Sequence, residues 1–233
     1  MPIADFYAEQ GFEVLWPIDE RFIAFFREAK PEVNFIPIPP DASPATDQRR
    51  YLYDEPMARL QQANCQRIIP LYSEVGGLQI ADPMLARSLK FDELKYAVAG
   101  VPFGRKWRLR LNRNPARENS LHQRLSLTRP YICVHTTSAT CSLNMAPSPE
   151  WQEKFQIVEI RELTDNPFDW ISTLERAAKV LLLDSLFANL VEQLNMRIQK
   201  AIILRSDVRQ TPVLLNGWEF LPLPQSPDGR PQP

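Results

Sequence analysis

The hydrophobic pattern is clearest in the second half of the chain. Tyr131-Ile132-Cys133-Val134-His135 follows Pro130 as a short apolar run, and residues 155–160, 180–183 and 201–204 repeat the theme. Continuous apolar runs of this length predict strands buried on both faces. Between them lie segments with apolar residues three and four apart. Trp170, Ile171, Leu174 and Ala178 follow Asn166-Pro167; Leu186, Leu190, Val191 and Leu194 follow Asp184-Ser185. Asn, Asp and Ser at such starts can accept from the orphan amides of a first helical turn. Proline is tolerated there because its missing donor would be an orphan anyway. Strands alternating with amphipathic helices predict an α/β domain, with a parallel sheet covered by helices, over residues 128–206.

The first half is less regular. Residues 12–16 predict a strand, Asp19 a cap, and Phe22, Ile23 and Phe26 one face of the helix behind it. Residues 34–38 predict a second strand, which Pro37 assigns to a sheet edge or a strand end. The three segments form a βαβ pattern. Residues 39–48 read as a loop, residues 50–53 and 68–71 as short strands, and Pro56 as the start of a helical turn. Asp82-Pro83 opens a helix that runs with interruptions to Gly100. Arg105, Lys106, Arg108, Arg110 and Arg113 alternate in part with Trp107, Leu109 and Leu111. That pattern fits first an exposed strand or linker with one wet face, with an anion-facing strip as the alternative. Asn114-Pro115 starts a helix that buries Leu121 and Leu125. Val213-Leu214-Leu215 and residues 218–221 are expected to pack back onto the domain. The expected organisation is a partial α/β lobe over 1–100, a basic linker and helix over 101–127, a Rossmann-like lobe over 128–221 and a Pro-rich tail over 222–233.

Composition narrows the chemistry. Proline takes 22 of 233 positions and glycine only 7, where ordinary soluble domains carry about 5% and about 7%. No G-x-G-x-x-G, G-x-x-x-x-G-K-[ST] or G-x-S-x-G occurs, which removes the usual support for dinucleotide-fingerprint, P-loop and serine-hydrolase functions. A net charge of -1 supplies no field toward nucleic acid, so no nucleic-acid partner is expected. The longest apolar runs are too short to span a bilayer. The opening residues lack the basic start and apolar core of a leader, so a cytoplasmic protein without a transmembrane segment is expected. Three cysteines without metal spacing and two histidines imply reduced thiols, no metal site and no cofactor.

Ligands of open parallel sheets bind beyond the carboxyl ends of the strands. Three loops qualify. The first follows His135 and carries Thr136, Thr137, Ser138, Thr140 and Ser142, hydroxyls suited to phosphate or sugar oxygens. The same composition also fits an exposed loop with no ligand. The second is Asp184-Ser185, where a helix N-terminus attracts anions, and where either residue can instead cap its own helix. The third is Arg205-Ser206-Asp207, in which Arg205 can pair with phosphate or stand as a solvated surface pair. His135 is a candidate base or a structural hydrogen-bonding residue. Glu159, inside a strand, is the acid least explained by structure. His122, four residues after Glu118, reads as a surface helix pair. Glu162, Asp165 and Asp169 surround the Pro167 helix start and complement its dipole.

The stretch from Tyr131 to Ser206 resembles the carboxyl-terminal half of GT-B glycosyltransferases, especially the heptosyltransferase-like family (glycosyltransferase family 9-like). The residues that carry the likeness are Tyr131-Ile132-Cys133-Val134-His135 with its hydroxyl loop, and Ala178-Lys179-Val180-Leu181-Leu182-Leu183-Asp184-Ser185-Leu186-Phe187-Ala188-Asn189-Leu190. Phe91-Asp92-Glu93-Leu94-Lys95-Tyr96, Val101-Pro102-Phe103, Arg113 and Glu118 look like the stretch that joins the two lobes in such proteins. The resemblance implies two Rossmann-like lobes and metal-independent sugar transfer from a nucleotide-diphosphate sugar to an unknown acceptor. Thr137, Ser138, Asp184, Ser185 and Arg205 would bind the donor. Members open with a strand ending in Gly-Asp, whose Asp is a candidate base. Here residues 4–10 read as the helix after that strand, and the Gly-Asp pair is absent from the sequence. Asn189 stands near the place of the usual histidine. With that base missing, His135 and Glu159 are the remaining catalytic candidates, and the alternative is a GT-B-like protein that binds or assembles without catalysis.

Overall fold

Helix α1 (Pro2–Glu9) leads into strand β1 (Leu15–Asp19), and helix α2 (Ile23–Ala29) carries the chain to β2 (Asn34–Ile38), which pairs with β1 in parallel. The computed structural model describes residues 1–40, 48–138, 141–143, 148–204, 211–215 and 217–221, with only the backbone at 138, 141 and 142. It divides into two units, Met1–Asn112 and Arg113–Pro233.

In the first unit the expected βαβ element is present. Its first strand begins at Leu15, and Phe12, placed in that strand by its sequence, is 53% exposed. The Asp19 carboxylate accepts from the Arg21 amide at 2.9 Å, which is the anticipated cap. The Asn34 amide donates to the Val14 carbonyl at 3.0 Å. With Leu15 facing Asn34 in register, Trp16 and Ile18 then supply the ladder on one strand and Asn34 and Ile36 on the other. Pro17 and Pro37 alternate with those residues, so each stands where the ladder needs no amide.

Residues 50–53 are not a strand. Arg50–Asp54 form a π-helical turn that runs into helix α3 (Glu55–Gln62). Tyr51 is tied by its phenol to the Asp19 carboxylate, a tertiary bond that local propensity does not encode. Residues 68–71 also form no strand. Ile69 and Leu71 pack against Ile3, Tyr96, Ala99 and Val101, so their apolar character serves packing without a ladder. The next strands are a two-residue hairpin, β3 (Glu74–Val75) and β4 (Leu78–Gln79), turned by Gly76 and Gly77 at φ +54° and +79°. A Cβ on Gly76 would lie 2.6 Å from Cβ of Arg49. Helix α4 (Pro83–Ser88) is capped by Asp82, and α5 (Phe91–Ala99) stops at Gly100 in the left-handed conformation.

The basic segment proves to be a set of internal ion pairs rather than an open strip for anions. Arg105 and Arg110 reach Glu9 at 2.7 and 3.2 Å, and the buried Lys106 donates to Asp92 at 2.6 Å. Arg113, the first residue of the second unit, grips Glu118 and Glu175 at 2.5 and 2.8 Å. Each of these four cations faces a carboxylate that lies far from it in sequence or on another element.

The second unit opens with helix α6 (Pro115–Arg124), whose Asn114 cap accepts from the Arg117 amide. Strand β5 (Tyr131–His135) follows, then the short antiparallel pair β6 (Thr137–Ser138) and β7 (Cys141–Ser142), helix α7 (Pro149–Lys154) and strand β8 (Gln156–Glu159). A 3-10 turn (Pro167–Trp170) enters helix α8 (Ile171–Glu175). Strand β9 (Lys179–Leu183), helix α9 (Leu186–Gln193), strand β10 (Gln199–Ile203) and strand β11 (Trp218–Leu221) complete the described chain. The five strands form one parallel sheet in the order β11-β10-β9-β5-β8. This is the mixed α/β, Rossmann-like sheet that the apolar runs predicted.

Alternate residues divide the sheet into two faces. Ile132, Val134, Leu181, Leu183, Ala201 and Ile203 pack with Trp151 of α7 and with Phe155 and Ile157. The other face meets α8, where Tyr131 donates to the Thr173 carbonyl at 2.8 Å, and α9, where the Phe187 ring lies 4.8 Å from that of His135. Two helix residues expected inward are not. Ala178 is exposed because α8 ends at Glu175, and Leu186 is 43% exposed because Phe187 and Ala188 take the inward positions. No helix among the described residues is long and apolar enough to cross a membrane.

Candidate functional site

The strand order places the topological switch point of the sheet between β5 and β9. The chain leaves β5 through α7 on one face toward β8, then returns to β9 on the other side of β5 and leaves it through α9 on the opposite face. Helices diverging from neighbouring parallel strands leave space above the carboxyl ends, and this switch point is where such sheets bind ligands.

His135 ends β5 and Ser185 stands one residue past Asp184 at the end of β9. The structure brings them together: Oγ of Ser185 lies 3.2 Å from Nδ1 of His135. Ser185 is the N-cap of α9, yet its hydroxyl makes no capping bond to that helix. Its carbonyl accepts from the Asn189 amide at 3.1 Å and from the Asn189 side chain at 3.0 Å. The hydroxyl is turned to His135 instead, at the N-terminus of an eight-residue helix. Burial lowers the basicity of His135 below the usual imidazole range, so the ring is neutral at pH 7. Asp184 is half-buried in the same turn.

The other candidates are placed as follows. Thr137 is exposed at the start of the β6–β7 pair, and Thr136 is buried beneath it. Ser138 is described only by its backbone in β6, and Arg205 lies outside the described residues. Glu159 pairs in register with Val134, so it projects to the face opposite His135, and it is exposed on an edge strand. The sheet therefore holds Glu159 apart from the His135–Ser185 pair.

His122 does not form the expected pair with Glu118. Its ring lies against Tyr131 and 3.4 Å from the Thr173 hydroxyl, while Glu118 is buried under Arg113. The acids near Pro167 do more than complement a dipole: Arg117 of α6 bonds Asp169 at 2.9 Å and also Asp165. A cavity of about 390 Å³ opens beside α6 and α8, lined by Arg113, Glu118, Asn119, Ser172, Glu175 and Arg176. Of the two arginines there, Arg113 is held by two carboxylates and Arg176 donates to the Asn119 side chain at 3.4 Å. Among the described residues no three His, Cys, Asp or Glu side chains cluster as metal ligands.

Sequence reasoning missed Phe187, whose ring meets His135 edge-on, and the Asn189 side chain that secures the Ser185 carbonyl. The four-residue spacing from Ser185 to Asn189 is the signal that could have found the second. No protein-family model, curated protein or solved structure matches the chain.

Proposed function

We propose that the second unit binds a nucleotide-diphosphate sugar above β5 and β9, and that the protein transfers the sugar to an acceptor as a metal-independent enzyme of the GT-B kind. The observation that carries this reading is the Ser185–His135 contact at the switch point, with the Ser185 hydroxyl uncommitted to its own helix. A diphosphate would sit at the α9 N-terminus, held by first-turn amides and the Ser185 hydroxyl, and Asp184 in the same turn would accept from the ribose or sugar hydroxyls. Such donors, aimed in advance at the leaving diphosphate, stabilise the charge that develops on it. The likeness of residues 131–206 to the donor half of the heptosyltransferase-like family agrees with this placement.

A second reading, binding without transfer, is favoured by Glu159, which faces away from His135. One experiment addresses both. Thermal unfolding is followed with ADP-, UDP- and GDP-sugars. A stabilising donor raises the melting temperature as ligand linkage requires, and Ser185→Ala and Asp184→Ala remove the rise. Release of nucleoside diphosphate with candidate acceptors then separates transfer from binding. No shift with any nucleotide sugar overturns both readings.

A further inference from the structure

The direction of the Ser185–His135 hydrogen bond depends on which ring nitrogen of His135 carries the proton. With His135 neutral and protonated at Nε2, Nδ1 accepts the Ser185 proton across the 3.2 Å contact. The Ser185 oxygen then offers only lone pairs to an incoming anion, and these repel a phosphate oxygen. If Nδ1 carries a proton, it donates to Oγ and the Ser185 O–H is released to point at the anion. Resting on the donor-site reading above, we infer that binding of the diphosphate is coupled to uptake of one proton at His135 Nδ1, so that donor affinity rises as pH falls.

The geometry supports an electrostatic as well as a hydrogen-bond coupling. A phosphate oxygen one hydrogen bond beyond Ser185 Oγ would lie within roughly 6 Å of Nδ1. At that range an opposite charge raises an imidazole's affinity for its proton by about 1–3 pH units. The ring is held for this role by Phe187, edge-on at 4.8 Å. Among the described residues, two acids of the second unit, Glu159 and Glu192, are placed so that they do not set the proton. Glu159 projects from the opposite face of the sheet, and Glu192, at the far end of α9, binds the Leu215 amide and the Trp218 indole. Asp184 is the carboxylate nearest in the chain, and its variant belongs in the test. On the strand itself Tyr131 and Cys133 share the His135 face; both are buried and neutral, their acidities suppressed by burial.

The test uses the full chain with ADP-glucose and UDP-glucose, in which both phosphates are diesters and neither titrates between pH 5 and 8. Dissociation constants are measured by calorimetry at pH 5.5, 6.5, 7.5 and 8 in buffers of different ionisation enthalpy. The His135 ring is followed by imidazole NMR with and without the sugar nucleotide. The expected result is affinity at least about fivefold tighter at pH 5.5 than at pH 8, near one proton taken up in the middle of the range, and a His135 titration moved upward by the ligand. His135→Gln should lose the pH dependence in whatever binding remains, while Asp184→Ala should retain it in whatever binding remains. Affinity flat with pH and no proton uptake would mean that the ring merely changes tautomer, and it overturns the coupling while leaving the site intact. Absence of binding at every pH overturns the site reading and the coupling together.

Discussion

Glu192 is a buried carboxylate of the second unit whose removal should be costly. It is 1% exposed, and its carboxylate accepts from the Leu215 amide at 2.6 Å and from the Trp218 indole at 2.7 Å. It thus fastens the approach to β11 onto α9, across the sheet edge. Glu192→Ala removes two charge-assisted bonds, each contributing about 1.5–3 kcal/mol. The Trp218 N–H is buried and stays unsatisfied, whereas Leu215, 41% exposed, regains water. Relief of the buried carboxylate offsets part of the loss. The net expectation is about 2–4 kcal/mol, which for a unit of this size lowers its melting temperature by roughly 8–16 °C. Calorimetry of Glu192→Ala, Trp218→Phe and the double variant measures it, with hydrogen exchange at 218–221 reporting the strand. The two changes should be non-additive by about 1 kcal/mol or more. A melting shift under about 2 °C, or additivity, would refute the claim that this carboxylate holds the strand.

Other consequences are as direct. Gly76→Ala places a Cβ against Arg49 at 2.6 Å in a left-handed conformation, and should destabilise the first unit by about 1–3 kcal/mol in urea unfolding. Lys106→Met strands Asp92 without its 2.6 Å partner and should cost about 3–5 kcal/mol, much of it restored in Lys106→Met/Asp92→Leu. The Arg21 guanidinium, with Tyr51, holds the Asp19 carboxyl down at about 2. A depressed carboxylate contributes stability above its unfolded value near 3.9 that is lost as pH falls through the folded value. Asp19→Asn should therefore be less stable at pH 7 and flatter between about pH 4 and 2, as read by acid titration of circular dichroism. Burial pushes the Cys133 thiol up to about 12, so peptide mapping after alkylation at pH 8 should find it modified only on unfolding.

The second unit was legible because its signals are local and strong. Runs such as Val180-Leu181-Leu182-Leu183 are buried on both faces, and the caps at Asn114 and Asn166 use the side chains expected of them. The proximity of His135 and Ser185 was only half legible. Each could be assigned to a strand end, but their meeting depends on β9 returning beside β5, which the sequence leaves open until the strand order is known. Glu159 illustrates the reverse: one step of register decides which face it takes, and no local pattern discloses that. The first unit misled where tertiary contacts outweigh propensity. Tyr51 gives its segment a β-rich look, yet a bond to Asp19 belongs to a helical turn. The basic segment misled in the same way, since Glu9 lies 96 residues before Arg105, Asp92 lies 14 before Lys106 and Glu175 lies 62 after Arg113, partners that only the folded chain brings together.

Pro17 and Pro37 bear on how copies of this chain behave in company. A strand laid along either outer edge of the β1–β2 pair would look for an amide donor at the middle of that edge and find a pyrrolidine ring. Edge-to-edge association, the common route from an exposed two-stranded sheet to aggregates, is thereby opposed on both sides. Two of the 22 prolines act as guards of solubility, at positions where they cost the native ladder nothing.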